Sequence, residues 1–185
     1  MGITIISSCA VLPFTASAAP LTNADAFWPG GYASTVYSHI DYWEDPGVAS
    51  LGYDYFAANS RADYAGIANA TISFYRQSTS PGADMRFFAG SYADDWYGYC
   101  QTYKADGTIA DIDENFVSAH VRMNDRTLDL DNFSNSERHY NMLHELGHAL
   151  SLAHQPKGED TVMKQGQHSY TDPTSVDKSN IAWKY

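Results

Sequence analysis

His144, Glu145, His148 and His154 are the residues of this chain whose types and spacing could do chemistry. On a helix of 3.6 residues per turn, His144 and His148 stand one turn apart on one face, roughly 6 Å along the axis, so both imidazoles can bind one ion. The spacing suits zinc, which takes imidazole nitrogen at about 2.0–2.1 Å in a tetrahedral shell. A catalytic zinc site uses three protein ligands and leaves the fourth position to water. His154 can be the third ligand. Six residues beyond His148, it cannot share the helical face, so the chain must turn sharply after about Leu150 to bring it back. Glu145, next to the first ligand, can face the activated water and take its proton as general base. In a chain of 185 residues with 7 histidines, this set at these offsets arises by chance in roughly a few chains per ten thousand.

At these residues the chain resembles the metzincin zinc endopeptidases, whose pattern HExxHxxGxxH is followed by a Met-turn, and within them the matrixin-like bacterial branch. The three ligands and the base match, and Met163 stands where the Met-turn would be. Gln165 stands where astacins and serralysins carry a tyrosine that can ligate zinc. The departure is Ser151, which replaces the family's glycine at a turn that wants a positive φ; that conformation costs a residue with a Cβ roughly 1 kcal/mol or more. The resemblance implies an α+β fold, with a twisted mixed β-sheet and two helices in an N-terminal subdomain and a small irregular C-terminal subdomain ending in a helix. It implies one catalytic Zn2+ and hydrolysis of internal bonds in polypeptide substrates by a monomer. The strand at Trp96–Lys104 would be the free antiparallel edge above the cleft, where an extended peptide adds itself beside Tyr97 and Tyr99. Residues 166–171 would line the pocket for the side chain after the cleaved bond, with Tyr170 as a wall. The alternative is a zinc-dependent peptide-binding module of the same fold without catalysis.

Composition narrows the partners. A formal net charge of −11 argues against nucleic acid and anionic membranes, both of which attract basic surfaces. The first 24 residues carry no charged side chain, and Ile3 to Phe14 is a mostly apolar run too short to span a bilayer. Ala16-Ser17-Ala18-Ala19 follows, with the small-x-small form of a signal-peptidase site. Residues 1–19 therefore read as a secretory signal, and 20–185 as one extracellular catalytic domain. No basic residue precedes the apolar run, so an apolar N-terminal arm is the other reading. Cys9 lies in that segment, leaving Cys100 without an intramolecular disulfide partner. The cysteine motif that seals matrixin zymogens is missing, so no propeptide is predicted.

The remaining elements must hold the four residues in place. Residues 35–42 alternate bulky and small side chains and read as a first strand carrying His39. Pro46 suits a helix start, and the segment to about Asn59 places Leu51, Tyr55 and Ala58 at helical spacing, weakened by Gly52. Strands follow at residues 71–76 and 84–89, separated by Ser80-Pro81-Gly82, and a last strand at 117–124 leads to the active-site helix at about 136–151. Ser134 and Glu137 form a capping box at its start. Met142, Leu143, Leu146 and Leu150 would face the core while His144 and His148 face the cleft. Asp94, Asp95, Asp106, Asp111 and Asp113 could supply calcium ligands, but their spacing matches no known calcium loop, so a Ca2+ site is not predicted. Between Tyr42 and His139 only His120 is available, too few histidines for the structural zinc of matrixins. Asp172-Pro173 should cap a closing helix that runs through Trp183.

Overall fold

A computed structural model describes residues 19–33 and 35–185, with nothing stated for the side chains of residues 35 and 36. The signal read over residues 1–19 lies, apart from Ala19, outside the described residues. Five strands form one sheet: β1 (Ile40–Glu44), β2 (Phe74–Arg76), β3 (Met85–Gly90), β4 (Gly98–Tyr103) and β5 (Ser118–Asn124). Their spatial order is β2-β1-β3-β5-β4. All neighbours run parallel except β4, which pairs antiparallel to β5 with Cys100 opposite Val121 and forms one edge. Among the described residues five helices complete a mixed α/β architecture: α1 (Pro46–Ser50), α2 (Asp54–Ala65), α3 (Asp125–Leu130), α4 (Asn135–Ala149) and α5 (Ser175–Lys184). None is long and apolar enough to cross a membrane.

Period-two alternation explains how the sheet is packed. Along β3, Met85, Phe87 and Ala89 are buried, and along β5 so are Ala119, Val121 and Met123. They share one sheet face, and α4 packs against β4, β5 and α2. In α4 every residue from His139 to Ala149 is buried, so the helix runs through the centre of the domain. Ser134 caps it: the Ser134 hydroxyl accepts from the Glu137 N–H, and the Glu137 carboxylate accepts from the Ser134 N–H at 2.7 Å.

Several elements differ from the sequence reading. The first strand begins at Ile40; residues 35–38 form a 3-10 turn, because strand pairing starts only where Ile40 meets Phe74 on the short β2. Thr71 donates its N–H to the carbonyl of Tyr185 instead of extending β2. His39 is not a half-buried strand residue; it is exposed and stacked on Tyr75 at 3.8 Å. The helix expected after Pro46 is two helices, broken where Gly52 takes φ 77°. The break resets the helical phase. Tyr53, Phe56, Ala57 and Tyr64 face the core, while Leu51 and Tyr55 are 42% and 67% exposed. Thr174, not Asp172-Pro173, caps α5, through a second capping box with Asp177.

From Leu150 to Thr174 the chain forms neither helix nor strand beyond one isolated bridge, Phe27 to Leu152. This irregular segment is what returns to the end of α4.

Candidate metal centre

His144 and His148 project from the last turns of α4, and the chain reverses immediately afterwards. Ser151 adopts φ 62°, the left-handed conformation that the turn demands. Its side chain offsets the cost. The Lys184 ammonium donates to the Ser151 hydroxyl at 2.5 Å, the Tyr185 hydroxyl lies 3.2 Å from it, and Tyr185 also donates to the carbonyl of Leu150 at 2.6 Å. A serine here thus gains two partners that a glycine would lack.

The reversal brings His154 back onto the helix end. The three Nε2 atoms lie 3.0, 3.1 and 3.2 Å from one another. A tetrahedral ion with bonds of about 2.05 Å holds its ligand nitrogens about 3.3 Å apart, so the triangle needs almost no adjustment. Protonation identifies what fits inside it. His144 directs Nδ1 at the carbonyl of Val162 at 2.7 Å, and His148 directs Nδ1 at that of Leu152 at 2.8 Å. A carbonyl only accepts, so both Nδ1 atoms carry the proton, and in a neutral ring Nε2 is then a lone pair. Lone pairs at 3.1 Å repel unless a cation lies between them. The site therefore fits a metal ion, held by His144, His148 and His154.

Burial keeps the imidazoles ready for it. Desolvation lowers the His144 pKa from 6.5 to about 4, helped by the neighbouring His154 and opposed by the bond to Val162. His148 is pushed down further by burial and then by the two other imidazoles, and His154, at the exposed mouth, is lowered by the partial burial of its ring. Glu145 is buried too. Desolvation raises its carboxyl from 4.5 to about 8, against the lowering effect of a hydrogen bond from the Cys100 N–H. A divalent cation nearby acts in the opposite direction, favouring the carboxylate.

Behind the ligands, Met163 is fully buried under the helix end, and Gly147 makes room for it: a Cβ at position 147 would collide with the Met163 sulfur and lie 2.8 Å from the Tyr64 hydroxyl. The segment is fastened from α5. The buried Asp177 carboxylate accepts from the Thr161 hydroxyl and, at 2.9 Å, from the Val162 N–H, and Val162 is the residue whose carbonyl orients His144. Such outer partners fix a ligand's tautomer and ring angle.

A groove of about 750 Å3 runs past the triad and Glu145, between β4 on one side and residues 164–166 on the other. Tyr97 and Tyr99 line it; the Tyr97 hydroxyl donates to Asp131 at 2.5 Å and that of Tyr99 to Gln101. Tyr170 does not line it: the ring packs on Tyr140, 5.9 Å between centroids, and its hydroxyl meets Lys164 and Asp160. Tyr140, a helix residue, stands in the wall instead. The free edge of β4 is also shorter than expected, since residues 108–110 fold back to pair with Thr102 and Lys104. Gly98 lies against the site so closely that a Cβ there would be 2.6 Å from Glu145 Cγ and 2.6 Å from Asn141 Nδ2. Trp28 was not singled out from sequence, yet it lines the groove with its ring stacked on His148 at 5.0 Å and 8°. Only its aromatic type, in a turn-rich stretch, could have pointed to it.

His168 sits 3.1 Å from the carbonyl of Gln165 and is not among the three side chains close enough to share an ion. Among the described residues, the triad is the one group of three or more His, Cys, Asp or Glu side chains close enough to share an ion. In the acidic stretch after β4, Asp106 bonds Thr108, while Glu114 takes Lys104 and the Asp111 N–H. No known family model matches the chain, and no curated protein matches it.

Proposed function

We propose that the protein is a zinc-dependent endopeptidase of the metzincin type, nearest in its motif to the matrixin-like bacterial branch. The observation that carries this reading is the convergence of three Nε2 atoms beside a buried carboxylate, in a groove bordered by a strand edge. His144, His148 and His154 would hold the zinc. When bound, the ion supplies a Lewis acid that acidifies water and polarises a carbonyl.

The chain's own groups do the rest. The uncovered part of β4 offers backbone groups to an extended polypeptide, and Tyr97, Tyr99 and Trp28 give that groove aromatic walls. Glu145 takes the proton that water sheds as it attacks the scissile carbon, then delivers it to the amine nitrogen as the C–N bond breaks. The bond from the Cys100 N–H and the charge of the bound ion both favour the carboxylate that takes the proton. Met163, seated against Gly147, and Asp177, through Val162, keep His144 aligned. The charge-free apolar opening of the chain supports export, so the substrates would be extracellular polypeptides.

The test is digestion of casein and of a peptide library, read by mass spectrometry, with the zinc-loaded protein, with chelator, and after zinc is restored. Internal cleavage that disappears with chelator and returns with zinc is expected. Intact peptides after prolonged incubation with a fully zinc-loaded chain would sink the proposal and leave a zinc-dependent binding module.

A further inference from the structure

His154 reaches the metal only if the six residues after His148 return along one path. The turn closes on the helix end, with the Ser151 N–H donating to His148 O at 2.8 Å and the Leu152 N–H to Gly147 O at 2.9 Å, and beyond His154 the Gln155 N–H donates to Met163 O at 3.0 Å. Lys184 and Tyr185 hold Ser151 and Leu150 from the C-terminal end, and the fastenings around His154 itself come from more than 120 residues earlier in the chain. The Trp28 N–H donates to Ser151 O and the Ala153 N–H to Ala26 O, both at 2.8 Å, on either side of the antiparallel bridge from Phe27 to Leu152. On the far side of His154, the buried Gln155 carboxamide grips the backbone of Leu21 at both ends: it accepts from the Leu21 N–H at 2.7 Å and donates to the Leu21 carbonyl at 2.9 Å. Both chain neighbours of the third ligand are thus tied to one N-terminal arm.

The same arm reaches the second ligand. His148 has two orienting contacts, the carbonyl of Leu152 and the face of Trp28. Leu152 is itself bridged to Phe27, and the Trp28 ring lies parallel to the imidazole, shielding one face of it from water. Without the arm, His148 would keep only the carbonyl of Leu152, on a turn held by its own backbone bonds and by Lys184 and Tyr185 at Ser151 and Leu150.

We infer that residues 21–28 are a working part of the metal centre: the arm sets the position of His154, and Trp28 is a positioning residue for His148. The inference concerns metal binding and needs the peptidase reading only in supposing that the triad holds zinc.

The experiment measures zinc affinity by competition with a chromophoric chelator, in wild type, Trp28→Ala, Trp28→Phe and Gln155→Ala, with the melting temperature of each metal-free form. Loss of an outer partner of a ligand typically costs about 10- to 100-fold in metal affinity. That loss is expected for Trp28→Ala and Gln155→Ala, while Trp28→Phe, which keeps an aromatic face on His148, stays close to wild type. Trp28 is partly buried, so Trp28→Ala should also lower the metal-free melting temperature, and the affinities are compared at a temperature where every metal-free form is folded. If Gln155→Ala fails to fold, the two Trp28 variants decide alone. Wild-type affinity in Trp28→Ala, or an equal loss in Trp28→Phe, overturns the inference. A wild-type chain that binds zinc without cleaving peptide overturns only the peptidase reading; one that binds no zinc overturns both.

Discussion

His120 on β5 and the imidazoles of His144 and His148 at the end of α4 are all buried or half-buried and held neutral, yet their surroundings differ in kind. Around His120 the neighbours are donors. Arg86 Nη1 lies 3.2 Å from its Nε2 and Arg122 Nη2 lies 3.1 Å from its Nδ1, so both ring nitrogens face guanidinium groups. Burial first, and the charges of Arg122 and Arg86 after it, lower its pKa to about 4. A cation approaching that ring would meet two fixed positive charges. Around His144 and His148 the neighbours are carbonyls, which claim the Nδ1 protons and turn both Nε2 lone pairs to one point. Neutrality alone does not make an imidazole a ligand; the groups behind the ring decide which nitrogen is free and whether a cation can come near.

The comparison is broken most directly at the triad. His154→Ala should abolish peptide cleavage and weaken zinc by more than the roughly 100-fold that an outer-partner loss can cause, as read by chelator competition. An unchanged zinc affinity would mean that the ion, if any, sits elsewhere. Next, Glu145→Gln should leave one zinc per chain while turnover falls by about 10²–10⁴-fold, the usual share of a general acid and base; a rate near wild type removes the assignment.

Acid provides a third handle. In the metal-free Glu145→Gln protein, His144 has a folded pKa of about 4 against 6.5 unfolded, so the unfolded chain takes up its proton first as pH falls. Stability from this ring is present above 6.5 and lost between 6.5 and 4, on the order of 3 kcal/mol for a shift of this size. Urea midpoints at pH 7 and pH 4.5 should show the drop. With Glu145 in place the slope should be shallower: its folded pKa is raised from 4.5 to about 8, so its contribution is full below 4.5 and lost as pH rises through 8. Identical slopes in the two proteins would contradict the burial of that carboxyl. The smallest effect lies at the other cluster. Arg86→Gln with Arg122→Gln should raise the His120 ring pKa, followed by NMR, through only part of the gap between 4 and 6.5, because burial is the larger cause. Zinc stoichiometry should stay the same.

Much of the centre was legible because it is local. Two imidazoles one helical turn apart, a carboxylate beside the first and a capping box ten residues upstream depend on spacing along a single helix. The strain at Ser151 was legible as well, since any residue with a Cβ pays for a left-handed turn. Its remedy was not, because Lys184 and Tyr185 lie 33 and 34 residues further on. Trp28 was hidden for the same reason on a larger scale: a stack on His148 spans the whole sheet in sequence. The phase of α2 was misread because Gly52 restarts the helix, and α3 was missed because six residues with one fully buried leucine show no period.

Gly98 carries a consequence for how the groove would behave in use. With no side chain between them, the strand edge and the Glu145 carboxyl touch, and a hydrogen bond from the next turn of the pleat, at Cys100, ties the two together. If a polypeptide loads the edge as proposed, tilting it by a fraction of an ångström would move the Glu145 carboxyl with it. Docking and alignment of the reacting groups would then be one mechanical event, and a methyl group at position 98 would act as a wedge that uncouples them.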